Sequence, residues 1–210
     1  MAKFPSIFDL TGRTALVTGS TRGIGWSTVQ CMAALGATVA INGRKSEAVV
    51  ARCAEIEAEG GKATTVPFDV TDGAALDDAI DRVVAEAGSL DILVANAAHS
   101  LVKPVEETTE AEIVAVFGSK LVSAVAAARK VVSLMAARGW GRIVLVSAIG
   151  VTASNGLAPL DSAANGALAS FAKSLSTRFA PHGVTCNAVA PGFIDTEGAA
   201  VYRNDPDNAA

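Results

Sequence analysis

The polar and apolar positions of this chain switch between two periods along its length. Short β-rich apolar runs at 13–18, 38–41, 63–68, 90–95, 142–147 and 184–189 read as strands. Between them lie longer stretches with apolar residues at helical spacing: from a glycine-rich turn to about Leu35, then 45–59, 73–87, 109–138 and 160–179. Thr71-Asp72 supplies a start signal for the third of these helices, and Gly60-Gly61, Gly88 and Gly139 supply stops. Six strand–helix alternations predict a parallel sheet with helices on both faces, an α/β fold in three layers. No repeat, low-complexity tract or linker interrupts the pattern, so residues 1–210 are expected to form one domain. The tail from Glu197 holds no convincing strand, so the sheet is expected to stop at the sixth strand with one edge uncovered.

Composition narrows the function classes. The chain has 210 residues, half of them hydrophobic, which is enough for one sizeable core. Its net charge of -4 and its interspersed charges give no basic face for nucleic acid or an anionic membrane. Cys31, Cys53 and Cys186 lack Cys-x-x-Cys spacing, which argues against a disulfide framework or a metal site. They read as small buried hydrophobes in a reducing compartment. Met1 to Leu10 has no apolar core of signal-peptide length, and Arg129 and Lys130 interrupt the apolar run after Leu121. A soluble cytoplasmic protein is expected.

Thr18-Gly19-Ser20-Thr21-Arg22-Gly23-Ile24-Gly25 stands at the first strand–helix crossover. There Gly19 takes a tight turn, Gly23 lets backbone approach a pyrophosphate, and Gly25 permits close helix–strand packing. The helix that follows offers unpaired N–H groups to an anion. With this spacing the chain resembles the short-chain dehydrogenase/reductase family. Phe68-Asp69-Val70-Thr71-Asp72, Ala95-Asn96-Ala97-Ala98 and Pro191-Gly192-Phe193-Ile194-Asp195-Thr196 match further family segments, in order. The resemblance runs from Phe8 to about Thr196. Phe8-Asp9-Leu10-Thr11-Gly12, Ile41-Asn42-Gly43-Arg44 and Leu121-Val122-Ser123-Ala124 are similar to gluconate 5-dehydrogenases and 3-oxoacyl-carrier-protein reductases.

The resemblance implies a Rossmann-type doubly wound sheet. It also implies a cofactor set of Gly19, Thr21, Arg22, Gly23, Ile24, Gly25, Asn42, Arg44, Asp69, Val70, Asn96, Ala97, Pro191, Gly192, Ile194 and Thr196. At the end of the second strand an acidic residue would hold a ribose 2′-OH and repel a 2′-phosphate. Asn42-Gly43-Arg44 stands there instead, and Arg44 with Arg22 suits a phosphate, so NADP(H) is expected over NAD(H). The family dimerises through helices that correspond to 109–138 and 160–179, so a homodimer or larger homo-oligomer is expected.

The same resemblance places four departures where the chemistry belongs. The family's proton-donating Tyr falls on Asp161, and the Lys that lowers its pKa falls on Asn165. The carbonyl-polarising Ser falls on Ala148, with Ser147 adjacent. The Asn of the preceding long helix falls on Lys120. The only tyrosine, Tyr202, lies in the tail with no Lys four residues on. Lys120 and Asn165 look like an exchange of the family's Asn and Lys. A buried Asp161 would have its pKa raised, a nearby Lys120 would lower it, and an ionised Asp161 would favour the cationic oxidised nicotinamide. His99 has a suitable unperturbed pKa for proton transfer.

Three readings stay open. One is an NADP(H)-binding family member that has lost the usual oxidoreductase chemistry. The second is an active oxidoreductase on a small hydroxyl or carbonyl compound, with Asp161 or His99 as its acid or base. The third is a damaged copy that folds poorly. Family members continue through a substrate-covering helix and a further strand, and both are expected to be missing here, so the substrate is not legible.

Overall fold

The structure, a computed structural model, describes residues 6–153, 156 and 158–197. Met1 to Pro5, Tyr202 and the rest of the tail after Glu197 lie outside the described residues. The strands are β1 (Thr14–Val17), β2 (Thr38–Gly43), β3 (Lys62–Pro67), β4 (Ile92–Ala95), β5 (Gly141–Val146) and β6 (Val184–Val189). The helices are α1 (Gly23–Ala34), α2 (Ser46–Ala58), α3 (Gly73–Ala87), α4 (Glu110–Phe117), α5 (Ser123–Ala137) and α6 (Pro159–Phe179). All neighbouring strands pair in parallel, in the order β3-β2-β1-β4-β5-β6. That order reverses between β1 and β4, which opens a crevice at the carboxyl ends of the strands.

Alternation along each strand divides the core in two. Leu16, Ala40, Leu93, Ile143 and Leu145 pack on one face with Leu76 and Ile80 of α3, Val131 and Met135 of α5, and Leu168 of α6. Ala15, Val17, Val39, Ile41 and Val94 pack on the other with Val29 of α1 and Val49, Cys53 and Ile56 of α2. Each Leu or Ile taken fully out of water contributes about 2 kcal/mol. The second layer thins towards β5 and β6, where Val144 and Val146 are only partly buried and Val189 is half exposed.

The punctuation follows residue chemistry. Asp72 caps α3 by accepting the Ala74 and Ala75 N–H groups, and Gly88 ends it at φ 77°, where a Cβ would be strained. Thr109 and Glu112 form a reciprocal capping box at the start of α4.

Two expectations need correction. The helix over 109–138 is not uniform: a π-helical turn, Gly118–Val122, joins α4 to α5 and buries Ser119 and Lys120. The extra residue in that turn shifts the helical phase, so two polar side chains face inward. Cys53 and Cys186 are buried, and burial pushes both thiols up to about 11, but Cys31 is exposed on α1. The span Glu110–Ala137 is long and apolar enough to cross a membrane by length and composition. Its inner side belongs to the core, and its Arg129 and Lys130 pair with Asp77 and Asp81 of α3.

The capping box generates a pH-dependent stability. The Thr109 backbone N–H, the Lys103 ammonium and the Thr109 hydroxyl hold the Glu112 carboxyl at about 2, below its ordinary 4.5. A lowered folded-state value stabilises the fold above the unfolded value, and that contribution is lost as pH falls through the folded one. The Tm difference between the wild type and Glu112→Gln should therefore be full above about pH 5 and shrink between pH 4.5 and 2.

Candidate functional site

The turn between β1 and α1 is held from below by two asparagines. Asn42, at the end of β2, is 1% exposed. Its Oδ1 accepts the Gly19 N–H at 3.0 Å, and its amide donates to the Val66 and Phe68 carbonyls at 3.0 and 3.1 Å. Ser20 donates its backbone N–H to the Asn42 carbonyl. Asn96, just after β4, donates its amide to the Thr18 and Gly19 carbonyls at 2.9 and 3.1 Å. The Thr18 hydroxyl accepts the Asn96 and Ala97 N–H groups, both at 3.0 Å. Asn96 thus spends its amide on the turn, and Asn42 ties the turn to the end of β3. The sequence groups Asn42 with the cofactor contacts, whereas the structure gives it a supporting role, because its amide is fully used inside the protein.

Two glycines make this crossing sterically possible. A Cβ on Gly25 would lie 2.5 Å from the Gly19 carbonyl oxygen and 2.6 Å from Asn96 Nδ2. Gly19, at φ +63°, would bring a Cβ to 2.9 Å from Ala97 Cα. Gly23 lies against Thr196, whose side chain would sit 3.5 Å from a Cβ there.

An open cleft of about 620 Å³ separates the start of α1 from the segment after β6. Gly23, Ile24, Trp26, Ser27 and Thr28 line one wall, and Pro191, Ile194, Asp195, Thr196 and Glu197 line the other. Arg22 occupies the N-cap of α1 and makes no side-chain cap bond, and the positive end of the helix faces the cleft. A pyrophosphate fits this chemistry: backbone donors, a glycine approach and an adjacent guanidinium. Arg44 is exposed just beyond β2. Asp69 is held below the usual carboxylate range, first by the Thr71 N–H and hydroxyl and to a lesser degree by Arg44. Val70 packs against the core, and Gly192 has open space around its α-carbon.

The expected chemical residues do come together, but not as independent groups. Lys120, turned inward by the π-helical turn, places Nζ 2.9 Å from Asp161 Oδ1, and both side chains are 8% exposed. The ammonium lies off the line of a directed hydrogen bond, and among the described residues no donor is aimed at Oδ1. Attraction between full charges depends weakly on that angle, so the contact is an ion pair. Asp161 Oδ2 accepts the Leu101 N–H at 2.8 Å, and Lys120 Nζ lies 3.4 Å from Ser100 Oγ. The His99 N–H donates to Ser119 Oγ at 3.0 Å, and Lys103 pairs with Glu112 at 3.0 Å.

Residues 99–103 are therefore pinned to α4, the π-helical turn and α6. Leu101 and Ser119 were not legible as site residues, since one contributes only its backbone; the signal for Ser119 was a polar pair inside an apolar run. Asn165 lies buried one turn beyond Asp161. The Ser147 hydroxyl is buried and donates to the Asn165 carbonyl at 3.2 Å, while Ala148 is half-buried beside it. His99 is exposed, and among the described residues no hydrogen bond holds its ring.

A family model described as short chain dehydrogenase matches residues 13–207. Gluconate 5-dehydrogenase of Gluconobacter oxydans (strain 621H) is 35% identical over 194 residues, 92% of this chain and 75% of that protein. 3-oxoacyl-(acyl-carrier-protein) reductase of Escherichia coli (strain K12) is 32% identical over 94% of this chain and 80% of that protein. A solved gluconate 5-dehydrogenase from Burkholderia cenocepacia J2315, in complex with NADP and tartrate, superposes with a TM-score of 0.91. It is 31% identical, covering 96% of this chain and 79% of that one.

The buried pair should behave as one unit. Lys120→Asn alone leaves a buried carboxylate without its counter-ion, and Asp161→Tyr alone leaves a buried ammonium. Each should lower unfolding free energy by about 3 kcal/mol in urea titrations, whereas the double variant should lose clearly less than the sum.

Proposed function

Because this chain belongs to the short-chain dehydrogenase family, we propose that it binds NADP(H) along the glycine turn and cleft, and that the usual proton-transfer chemistry of that family is lost or strongly altered. The observation that carries the second part is the buried Lys120–Asp161 pair. A carboxylic acid that donates a proton needs an O–H aimed at substrate. Asp161 instead meets an N–H on one oxygen and an ammonium on the other, surroundings that suit an acceptor.

The other positions support the same reading. Asn165 carries no charge with which to lower the pKa of a neighbouring acid. Ala148 has no hydroxyl, and the hydrogen of Ser147 is directed at the backbone of α6. Lys120 also neutralises Asp161, which removes the bias towards a cationic nicotinamide that a lone carboxylate would exert.

Cofactor binding rests on a different set of groups. A bound nicotinamide cofactor would supply hydride. The chain's own part is to hold it: the start of α1 and Gly23 for the pyrophosphate, Arg22 and Arg44 for a 2′-phosphate. The NADP in the Burkholderia relative supports this choice. A second copy of the chain also belongs to the proposal. Val114, Val122 and Leu134 are exposed along α4, the π-helical turn and α5, and support pairing of two copies through these helices. The three free thiols are consistent with a reducing, cytoplasmic setting.

A fluorescence titration followed by turnover assays tests the reading. NADPH should bind, and a panel of ketones and sugar acids should give no turnover. The combined variant Ala148→Ser, Asp161→Tyr, Asn165→Lys and Lys120→Asn should gain it. Wild-type turnover abolished by Asp161→Ala would overturn the loss of chemistry. Arg44→Ala should weaken NADPH about ten-fold and leave NADH within about two-fold, since a charged hydrogen bond to a phosphate is worth about 1.5 kcal/mol or more.

A further inference from the structure

The glycine turn has a third support, on its outer side, and it comes from a helix that does not line the cleft. Arg52, on α2, donates Nε to the Thr21 carbonyl at 2.9 Å. Its guanidinium lies over the Trp26 ring, 4.4 Å from the centroid, and its Nη1 meets Glu55 at 2.7 Å. Among the described residues this is the one side-chain hydrogen bond from α2 to the turn. Gly43 leaves space for the same segment, because a Cβ there would sit 2.7 Å from Thr21 Cγ2.

The position of these contacts separates Arg52 from the two asparagines. Asn42 sits inside the sheet and serves the fold as well as the turn, whereas the Arg52 side chain is 29% exposed at the rim. Between its two points of contact, Thr21 and Trp26, lies Arg22-Gly23-Ile24-Gly25, the segment that holds the start of α1. Trp26 itself lines the cleft. A guanidinium can donate in its plane and stack through its face at the same time, which an ammonium cannot.

We propose that Arg52 is a positioning residue for the dinucleotide-binding turn, fixing Thr21 through its carbonyl and Trp26 through its ring. It acts through the turn and does not itself touch the cofactor. The assignment rests on the reading that this turn takes the pyrophosphate of NADP(H).

The test compares wild type, Arg52→Lys and Arg52→Ala by NADPH titration. In parallel, acrylamide quenching of Trp26 is measured without ligand, in a Trp140→Phe background, alongside Tm. Arg52→Ala should weaken NADPH binding about ten-fold with Tm little changed, and Trp26 should become more accessible to the quencher. Arg52→Lys should keep the charge but recover less than half of the lost binding free energy, because it loses the flat stack. Unchanged affinity in Arg52→Ala, with tight binding by the wild type, overturns the assignment alone. Full recovery with Arg52→Lys overturns it too, since charge would then suffice. Failure of the wild type to bind NADPH or NADH overturns the cofactor reading and this assignment together. If Arg52→Ala does not fold, Arg52→Lys decides: affinity equal to wild type overturns the assignment, and affinity weakened several-fold with greater quenching of Trp26 supports it.

Discussion

The structure turns on a backbone crossing with no room for side chains. The first helix begins where the β1 turn passes over the end of β4, and a single methyl on Gly25 would collide with both the Gly19 carbonyl and Asn96. That approach brings the carboxyl ends of β1, β2 and β4 to one place. It also leaves the donors at the start of α1 directed at the crevice. The polar groups buried by the crossing are satisfied by Thr18, Asn42 and Asn96. Any of them left unpaired would cost about 1–3 kcal/mol, so the turn is held as a unit with the sheet.

The Lys120–Asp161 pair obeys a different logic. Two charges taken out of water recover their hydration only through each other and through further hydrogen bonds. Here Leu101 supplies one such bond and Ser100 lies close to the ammonium. Once both members are buried, replacing either alone is costly. Ser100 and Leu101 are fixed by these contacts, and His99 and Lys103 by Ser119 and Glu112. One oxygen of the Asp161 carboxylate holds the loop through the Leu101 N–H, and the other faces the Lys120 ammonium.

Much of this was legible in the chain. The six strands follow from short β-rich apolar runs between helical stretches, and the boundary residues Asp72 and Gly88 act as their chemistry requires. The glycine spacing located the turn between β1 and α1, and the juxtaposition of Lys120 with the start of α6 followed from the family resemblance. The π-helical turn was not legible, because a one-residue phase shift inside an alanine-rich helix hardly changes its apolar spacing. The internal role of Asn42 was hidden for another reason: an exposed and a buried amide look the same in sequence. Arg52 gave no signal, since an arginine on an amphipathic helix is usually a solvated one.

The two halves of the site draw on separate parts of the fold. The proposed binding groups sit at the ends of β1 and β2, at the start of α1 and after β6, and many of them are backbone atoms. The groups at the family's chemical positions come from α6, the π-helical turn and the end of β5. The connection after β4 is shared: Asn96 and Ala97 support the glycine turn, and Leu101 meets Asp161. Lys120, Ala148, Asp161 and Asn165 therefore lie apart from the glycine turn and the start of α1, where the proposed dinucleotide site is built. On the proposed reading, a dinucleotide could be held while the chemistry is altered, since the donors proposed to meet its phosphates at α1 are backbone groups separate from Lys120, Asp161 and Asn165.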